Sequence, residues 1–320
     1  MKVLLTGYSG FLGQYLAREV IKEGYSLRVL FHRHTLTRKD MPQDVEVIWG
    51  SMDNPDVIKQ AVRGVDFVVH SAWASDSSFE KRPTFNERAA DLLLSESVDA
   101  GVKKFVFISS VAVYGMRRKT RSDIQESSPF AEVKDLAFKY PSEKIVVEKN
   151  LQSWEKNKTQ LAVFRPGPVF DDHKGPHKKI IKLGPWRMGL GIGTGRNRMA
   201  YIHGRDVAKA AAGWLKHGND GAVFNVVPSQ CLRSRDWIRV WGLKNNLSLK
   251  PFFIPGFMMR LAGFGVKTLK RMLGRKSGSN VKYAVACAKR DMCYSNKAIK
   301  KALDWEDKAT SEYLEIHSKK

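Results

Sequence analysis

The stretch MKVLLTGYSGFLG, Met1–Gly13, sets Gly7, Gly10 and Gly13 at a spacing of three between an apolar run and a segment of helical periodicity. Glycine costs roughly 0.5–1 kcal/mol relative to alanine inside regular structure, so a regular array of it answers a local geometric demand. The chain around the array says which. Lys2–Thr6 reads as a strand, Leu12–Glu23 as a helix, Ser26–Phe31 and Val45–Trp49 as strands, and Pro55–Val62 as a helix. Asp66–His70 then reads as a strand, Phe85–Ala100 as a helix closed by Gly101, and Lys104–Ser109 as a strand. Alternation of this kind predicts an α/β chain: a Rossmann-like, doubly wound parallel sheet covered by helices on both faces. In that setting a strand, GxxGxxG and a helix form a tight turn whose backbone N–H groups approach a pyrophosphate. Gly7, Ser9, Gly10, Phe11, Leu12 and Gly13 are therefore candidate cofactor-binding residues.

The chain has 320 residues, enough for a large core, and 43% hydrophobic with 27% charged residues is ordinary globular composition. Cys231, Cys287 and Cys293 fall in no CxxC or Cys/His grouping, which predicts reduced thiols, a cytoplasmic location and no structural metal. The first apolar run is too short, and too soon broken by Gly7, to read as a signal peptide. No uninterrupted apolar stretch approaches the roughly 20 residues of a membrane span.

Charge is the unusual feature: 55 Lys and Arg against 32 Asp and Glu give +23. Such a field attracts phosphate-bearing ligands, nucleic acid or an acidic membrane face without choosing among them. No nucleic-acid reader motif is present, so no specific nucleic-acid partner is expected. The end of the second strand carries His32, Arg33 and His34, with Arg38 and Lys39 beyond and no acid before Asp40. An acid at this point would hold the ribose hydroxyls of NAD, whereas cations suit a 2′-phosphate. NADP(H) through Arg33 is the expectation, with NAD(H) left open.

Tyr140-Pro141-Ser142-Glu143-Lys144 has Pro141 suited to a first helical turn, which puts Tyr140 and Lys144 on one face. An ammonium beside a phenol favours the phenolate and is expected to lower the tyrosine pKa toward a range useful for acid/base work. Upstream, Phe107–Gly115 delivers Ser110 at a strand end, where open α/β sheets bind ligands and where its hydroxyl could align a substrate oxygen with Tyr140.

Together these segments resemble the extended short-chain dehydrogenase/reductase family, of the NAD-dependent epimerase/dehydratase type. The resemblance takes in TGYSGFLG, GSMD at 50–53, DFVVHSA, the block FNERAADLLLSESVDAGVKKFVFISS, SSVAVYG, YPSEK, RPGPVF at 165–170, YIHGRDVAKA at 201–210, VFNVV at 223–227 and SNKAIKKALDWED. It implies Ser110, Tyr140 and Lys144 as a catalytic triad, with Asn86 at the position of a supporting asparagine. It also implies that Met52, Asp53, Ala72, Tyr140, Lys144, Pro166 and Val169 lie along the cofactor. Three departures bear on the substrate: Gly50-Ser51-Met52 lacks the usual acid, Trp73 brings an indole where a small residue is usual, and Pro168 replaces an asparagine.

Within the family, GIGTGRNRMAYIHGRDVA at 191–208 and the basic apolar segment after it are similar to the 3β-hydroxysteroid dehydrogenase-like branch. That implies hydride transfer between nicotinamide and a carbonyl or secondary alcohol of a hydrophobic, steroid-, lipid- or polyketide-like substrate. A nucleotide-sugar epimerase or dehydratase would use the same triad, and a non-catalytic NADP-binding regulatory protein is a further alternative. Residues 231–303 hold 17 Lys and Arg against 2 acids, and Phe252–Leu273 mixes Phe, Met and Leu with Arg260, Lys267, Lys270 and Arg271. This segment either packs as a substrate-domain helix or rests on an anionic membrane face. The expected organisation is a nucleotide-binding domain over 1–165 with a return near 197–228, and a substrate domain from 166–196 and 229–320. A homodimer is left open.

Overall fold

The computed structural model describes residues 1–32, 44–74, 83–115, 124–132, 139–153, 159–175, 179–183, 186–219, 221–259, 285 and 288–318. Arg33, His34, Arg38, Lys39, Cys287 and most of 252–276 lie outside them, so the expectations resting there are not addressed by the fold.

The strands β1 (Lys2–Thr6), β2 (Ser26–Phe31), β3 (Glu46–Trp49), β4 (Phe67–His70), β5 (Lys104–Ile108) and β6 (Gln160–Pro166) alternate with α1 (Phe11–Lys22), α2 (Pro55–Val62), α3 (Phe85–Asp99) and α4 (Lys139–Ser153). Beyond β6 come β7 (Val169–Phe170), β8 (Lys179–Leu183), β9 (Trp186–Ile192), β10 (Arg198–Met199), β11 (Ile202–His203) and α5 (Gly204–His217). The described chain ends with β12 (Ala222–Val226), β13 (Leu232–Arg233), α6 (Ser234–Lys244), β14 (Leu249–Ile254), α7 (Lys297–Leu303) and α8 (Lys308–Ser318).

Seven strands form one parallel sheet in the order β12-β6-β5-β4-β1-β2-β3. Its strands are near-continuous apolar runs because helices cover both faces: Val3, Leu5 and Val29 point into one cluster with α1 and α5, and Leu4, Val68 and Phe105 into another with α2 and α3. Local chemistry sets the helix starts. Asn54 caps α2 with a 3.0 Å bond from the Asp56 N–H to its Oδ1, and Thr84 with Glu87 forms a capping box on α3.

The strand order reverses between β1 and β4, so the loops after these two strands meet at the carboxyl edge of the sheet. Ligands bind at such a crevice in open α/β sheets. A third apolar cluster, with Trp237, Trp241, Tyr313 and Leu249, lies among α6, α8 and β14. The buried Asp206 carboxylate fixes α8, accepting the N–H groups of Ala309 at 3.0 Å and Thr310 at 2.7 Å.

Candidate active site

The glycine array folds for steric reasons that individual positions show. Gly7 has φ +82°, a left-handed conformation, and a Cβ there would stand 2.6 Å from the Ala72 nitrogen. A Cβ on Gly13 would stand 2.0 Å from the Gly7 carbonyl oxygen, so α1 packs directly on the turn. Gly10 donates to that same carbonyl at 3.0 Å and leads into α1 with no side chain capping the helix. The first-turn N–H groups of Phe11, Leu12 and their neighbours are thus left to a ligand, at the positive end of the helix dipole. Thr6 ties the opposing loops together: its Oγ1 pairs with His70 Nδ1 at 2.8 Å and accepts from the Ala72 N–H at 3.2 Å. This cradle fits the pyrophosphate of a dinucleotide.

Met52 is 9% exposed and packs in the cluster of Ile48 and Ile58, while the neighbouring Asp53 is exposed and accepts from Ser51 Oγ. Pro166 is buried at the end of β6, and Val169 is half-buried in β7. Between them Gly167 approaches closely, because a Cβ would lie 2.0 Å from the Ala200 carbonyl oxygen.

Ser110, Tyr140 and Lys144 come together. Ser110 lies two residues beyond β5 and caps the following 3-10 turn, accepting from the Ala112 N–H at 3.1 Å, and its side chain is hydrogen bonded to Tyr140. Lys144 is 3% exposed and donates to the Ile108 carbonyl at 2.7 Å. Asn86 sits one step away: its amide accepts from the Ala74 N–H at 2.9 Å and donates to the Ala74 carbonyl and to Glu143 Oε2, both at 3.1 Å. It therefore pins the loop after β4 to α4 and makes no bond to Tyr140 or Lys144.

The electrostatics correct one expectation. Burial pushes the Tyr140 pKa up from 10.0, opposed by the Ser110 bond, so the phenol is not lowered as the neighbouring ammonium suggested. The Lys144 nitrogen is 5.8 Å from the Tyr140 ring centre and aims instead at Ile108 and at the Trp73 indole, 3.5 Å away. Burial also holds Lys144 well below 10.5, with Glu148 and Glu143 opposing it, and brings His70 down to about 3. The tyrosine residue is 39% exposed as a whole, yet it is the desolvated hydroxyl that titrates.

Sequence reasoning missed what lies under the triad. Glu148, fully buried one turn beyond Lys144, accepts from Arg165 Nη2 at 2.6 Å and Nε at 3.0 Å, and from Ser109 Oγ. Arg165 Nη1 donates to the Tyr114 hydroxyl, which donates to Asn225 Oδ1, both at 2.7 Å. The i,i+4 spacing of Lys144 and Glu148 was a visible signal, but a surface salt bridge reads the same way.

Away from the triad, a cavity of about 630 Å³ is lined by Arg196, Asn197, Lys289 and Asp291 among others. No triad residue lines it. Among the described residues no cluster of ligating side chains could hold a metal, and no helix is long and apolar enough to cross a membrane.

Residues 3–227 match the NAD dependent epimerase/dehydratase family. The chain is 23% identical over 241 residues to sterol-4-alpha-carboxylate 3-dehydrogenase, decarboxylating, of Dictyostelium discoideum, covering 73% of each chain. It is 25% identical over 299 residues to N-acetyl-alpha-D-glucosaminyl-diphospho-ditrans,octacis-undecaprenol 4-epimerase of Escherichia coli O157:H7, covering 89% of this chain and 85% of that one. In structure it is similar to UDP-glucose 4-epimerase of Thermotoga maritima, solved with UDP-glucose, at a TM-score of 0.71 and 19% identity, covering 98% of this chain and 99% of the other.

Proposed function

The chain belongs to the NAD dependent epimerase/dehydratase family, the extended short-chain dehydrogenase/reductases, and from that premise we propose that it is an NADP-dependent oxidoreductase acting on a ketone or secondary alcohol of a hydrophobic substrate. The observation that carries this reading is the Ser110–Tyr140 bond set beside Lys144 among the rings of Trp73 and Phe107. A bound nicotinamide supplies or accepts the hydride. Tyr140 passes the proton to or from the substrate oxygen, Ser110 holds that oxygen by a hydrogen bond, and Lys144 holds the cofactor ribose and supports the phenolate as it forms. Trp73, part-exposed and edge-on to Tyr140, would offer apolar surface near the reacting carbon, in line with the sterol-directed relative. Elimination of water would need a further acid or base; Val111 and Ala112 follow Ser110, and the nearby Glu148 is held by Arg165 and Ser109.

Met52 and Asp53, Ala72, Pro166 and Val169 would line the cofactor, and Arg33 would take the 2′-phosphate. The segments 166–196 and 229–320 would build the substrate side. Phe252, Phe257 and Met258, at 50, 65 and 50% exposure beside the basic segment, would let the protein rest on an anionic lipid surface.

The second reading, a nucleotide-sugar or lipid-linked-sugar epimerase, is favoured by the cavity with Arg196 and Lys289, whose cations suit a diphosphate. One experiment separates the two. The purified protein is screened against hydrophobic ketones and sugar nucleotides with NADPH and with NADH, following cofactor absorbance and sugar configuration together. Stoichiometric NADPH oxidation with a ketone, lost in Tyr140→Phe, supports the oxidoreductase. Sugar inversion without net cofactor change overturns it, and equal affinity for the two cofactors removes the role of Arg33.

A further inference from the structure

An ammonium at 3% exposure has given up most of its hydration, and something must replace it. The Ile108 carbonyl takes one of the three N–H bonds of Lys144. The remaining surroundings are aromatic. The nitrogen lies 3.5 Å from the Trp73 ring centre, 4.5 Å from Phe107 and 5.8 Å from Tyr140, all within the range at which a ring face attracts a cation. The three rings come from three elements, the loop after β4, strand β5 and helix α4, and they brace one another. Trp73 meets Tyr140 edge-on at 5.9 Å and Phe107 at 6.3 Å. Asn86 secures the arrangement by holding the backbone of Ala74, the next residue, with two hydrogen bonds.

Among the described residues, the charged groups packed around this box have other partners. On α4 itself, Glu143 is bonded to Asn86 and paired with Lys139, and Glu148 is bonded to Arg165 of β6 and to Ser109 of β5. Both carboxylates favour the ammonium, but their oxygens serve other donors. From β4, His70 stacks on Phe107 and is kept neutral by burial.

We propose that Trp73 is a positioning residue whose indole face, with Phe107 as the second wall, holds Lys144 as a desolvated ammonium within reach of Tyr140. Indole has the most favourable ring face for this role, and its attraction strengthens where water is excluded. An aliphatic side chain keeps the site apolar without the attraction, so the lysine then loses its proton more easily. The proposal rests on the reading that Lys144 assists proton transfer at Tyr140, yet the charge state of the lysine can be measured without turnover.

The test compares full-length wild type, Trp73→Leu, Trp73→Phe and Phe107→Leu. Competitive labelling with acetic anhydride from about pH 6 to about pH 10, quantified at Lys144 by peptide mass spectrometry, follows the neutral amine. The midpoint of that pH dependence is the quantity read, since altered access changes the plateau rate alone. Trp73→Leu is expected to lower the midpoint by about one pH unit, or about 1.4 kcal/mol, and Trp73→Phe to fall between it and wild type. An unchanged midpoint in folded Trp73→Leu, or a Trp73→Phe shift as large as that of leucine, overturns the proposal. If Trp73→Leu does not fold, Phe107→Leu decides: a smaller downward shift supports the aromatic box, and no shift rejects it. Failure of every redox substrate in wild type would sink the functional reading while leaving these midpoints as they are.

Discussion

Arg165 forks onto Glu148 with its Nη2 2.6 Å and its Nε 3.0 Å from the same carboxylate oxygen, and both side chains are buried between α4 and β6. A pair of this kind gains little over well-packed apolar residues, but removing one member strands a buried charge. Glu148→Ala and Arg165→Met should each lower the unfolding free energy by about 3–5 kcal/mol. Urea titration of both single variants and the double variant checks this, and a double variant as unstable as the sum of the singles would contradict the pairing.

Removal of the Tyr140 hydroxyl should leave the fold and cofactor binding in place and reduce turnover by about 10²–10⁴-fold. Because burial raises the Tyr140 pKa, the phenol keeps its proton at neutral pH. Ketone reduction, which consumes that proton, is therefore expected to hold through neutral pH and fall on the alkaline side. Alcohol oxidation, which needs the phenolate, should rise over the same interval. Rates in both directions against pH, with Tyr140→Phe as the control, show whether the two limbs cross.

His70 makes stability depend on acid. Its pKa drops from 6.5 to about 3, chiefly through burial and secondarily through Lys144, so the unfolded chain binds a proton that the folded chain refuses. Stability from this residue is complete above about pH 6.5 and is lost as pH falls toward about 3, by an amount on the order of a few kcal/mol. Denaturant midpoints of wild type and His70→Phe across that interval should diverge, with the wild type losing more. Parallel curves would remove His70 as the cause.

Gly13→Ala places a methyl where the Gly7 carbonyl oxygen already stands, at 2.0 Å. The turn must open or the helix must shift, at a cost on the order of 1–3 kcal/mol. Dinucleotide affinity should fall more than tenfold even where the variant folds. Calorimetric titration with the coenzyme measures it; wild-type affinity would mean that the turn does not hold the pyrophosphate.

Short-range signals made much of this protein readable from its sequence. The apolar runs and helical periods put the strands and helices from β1 to β5 within a residue or two of where they lie, because each depends on neighbours a few positions away. The glycine array and the spacing of Tyr140 and Lys144 on one helix are local in the same sense. Contacts across the sheet are not. The parallel register that sets His70 against Phe107 brings the loop after β4 beside the end of β5, and only this lays Trp73 on the Lys144 ammonium and lets Ser110 reach Tyr140. Burial, a property of the assembled core, then decides that the Tyr140 pKa moves up and that Glu148 answers Arg165 from inside the molecule. Sequence spacing determines which groups share an element; the packing of elements determines which groups lose their water, and with it the charge they carry.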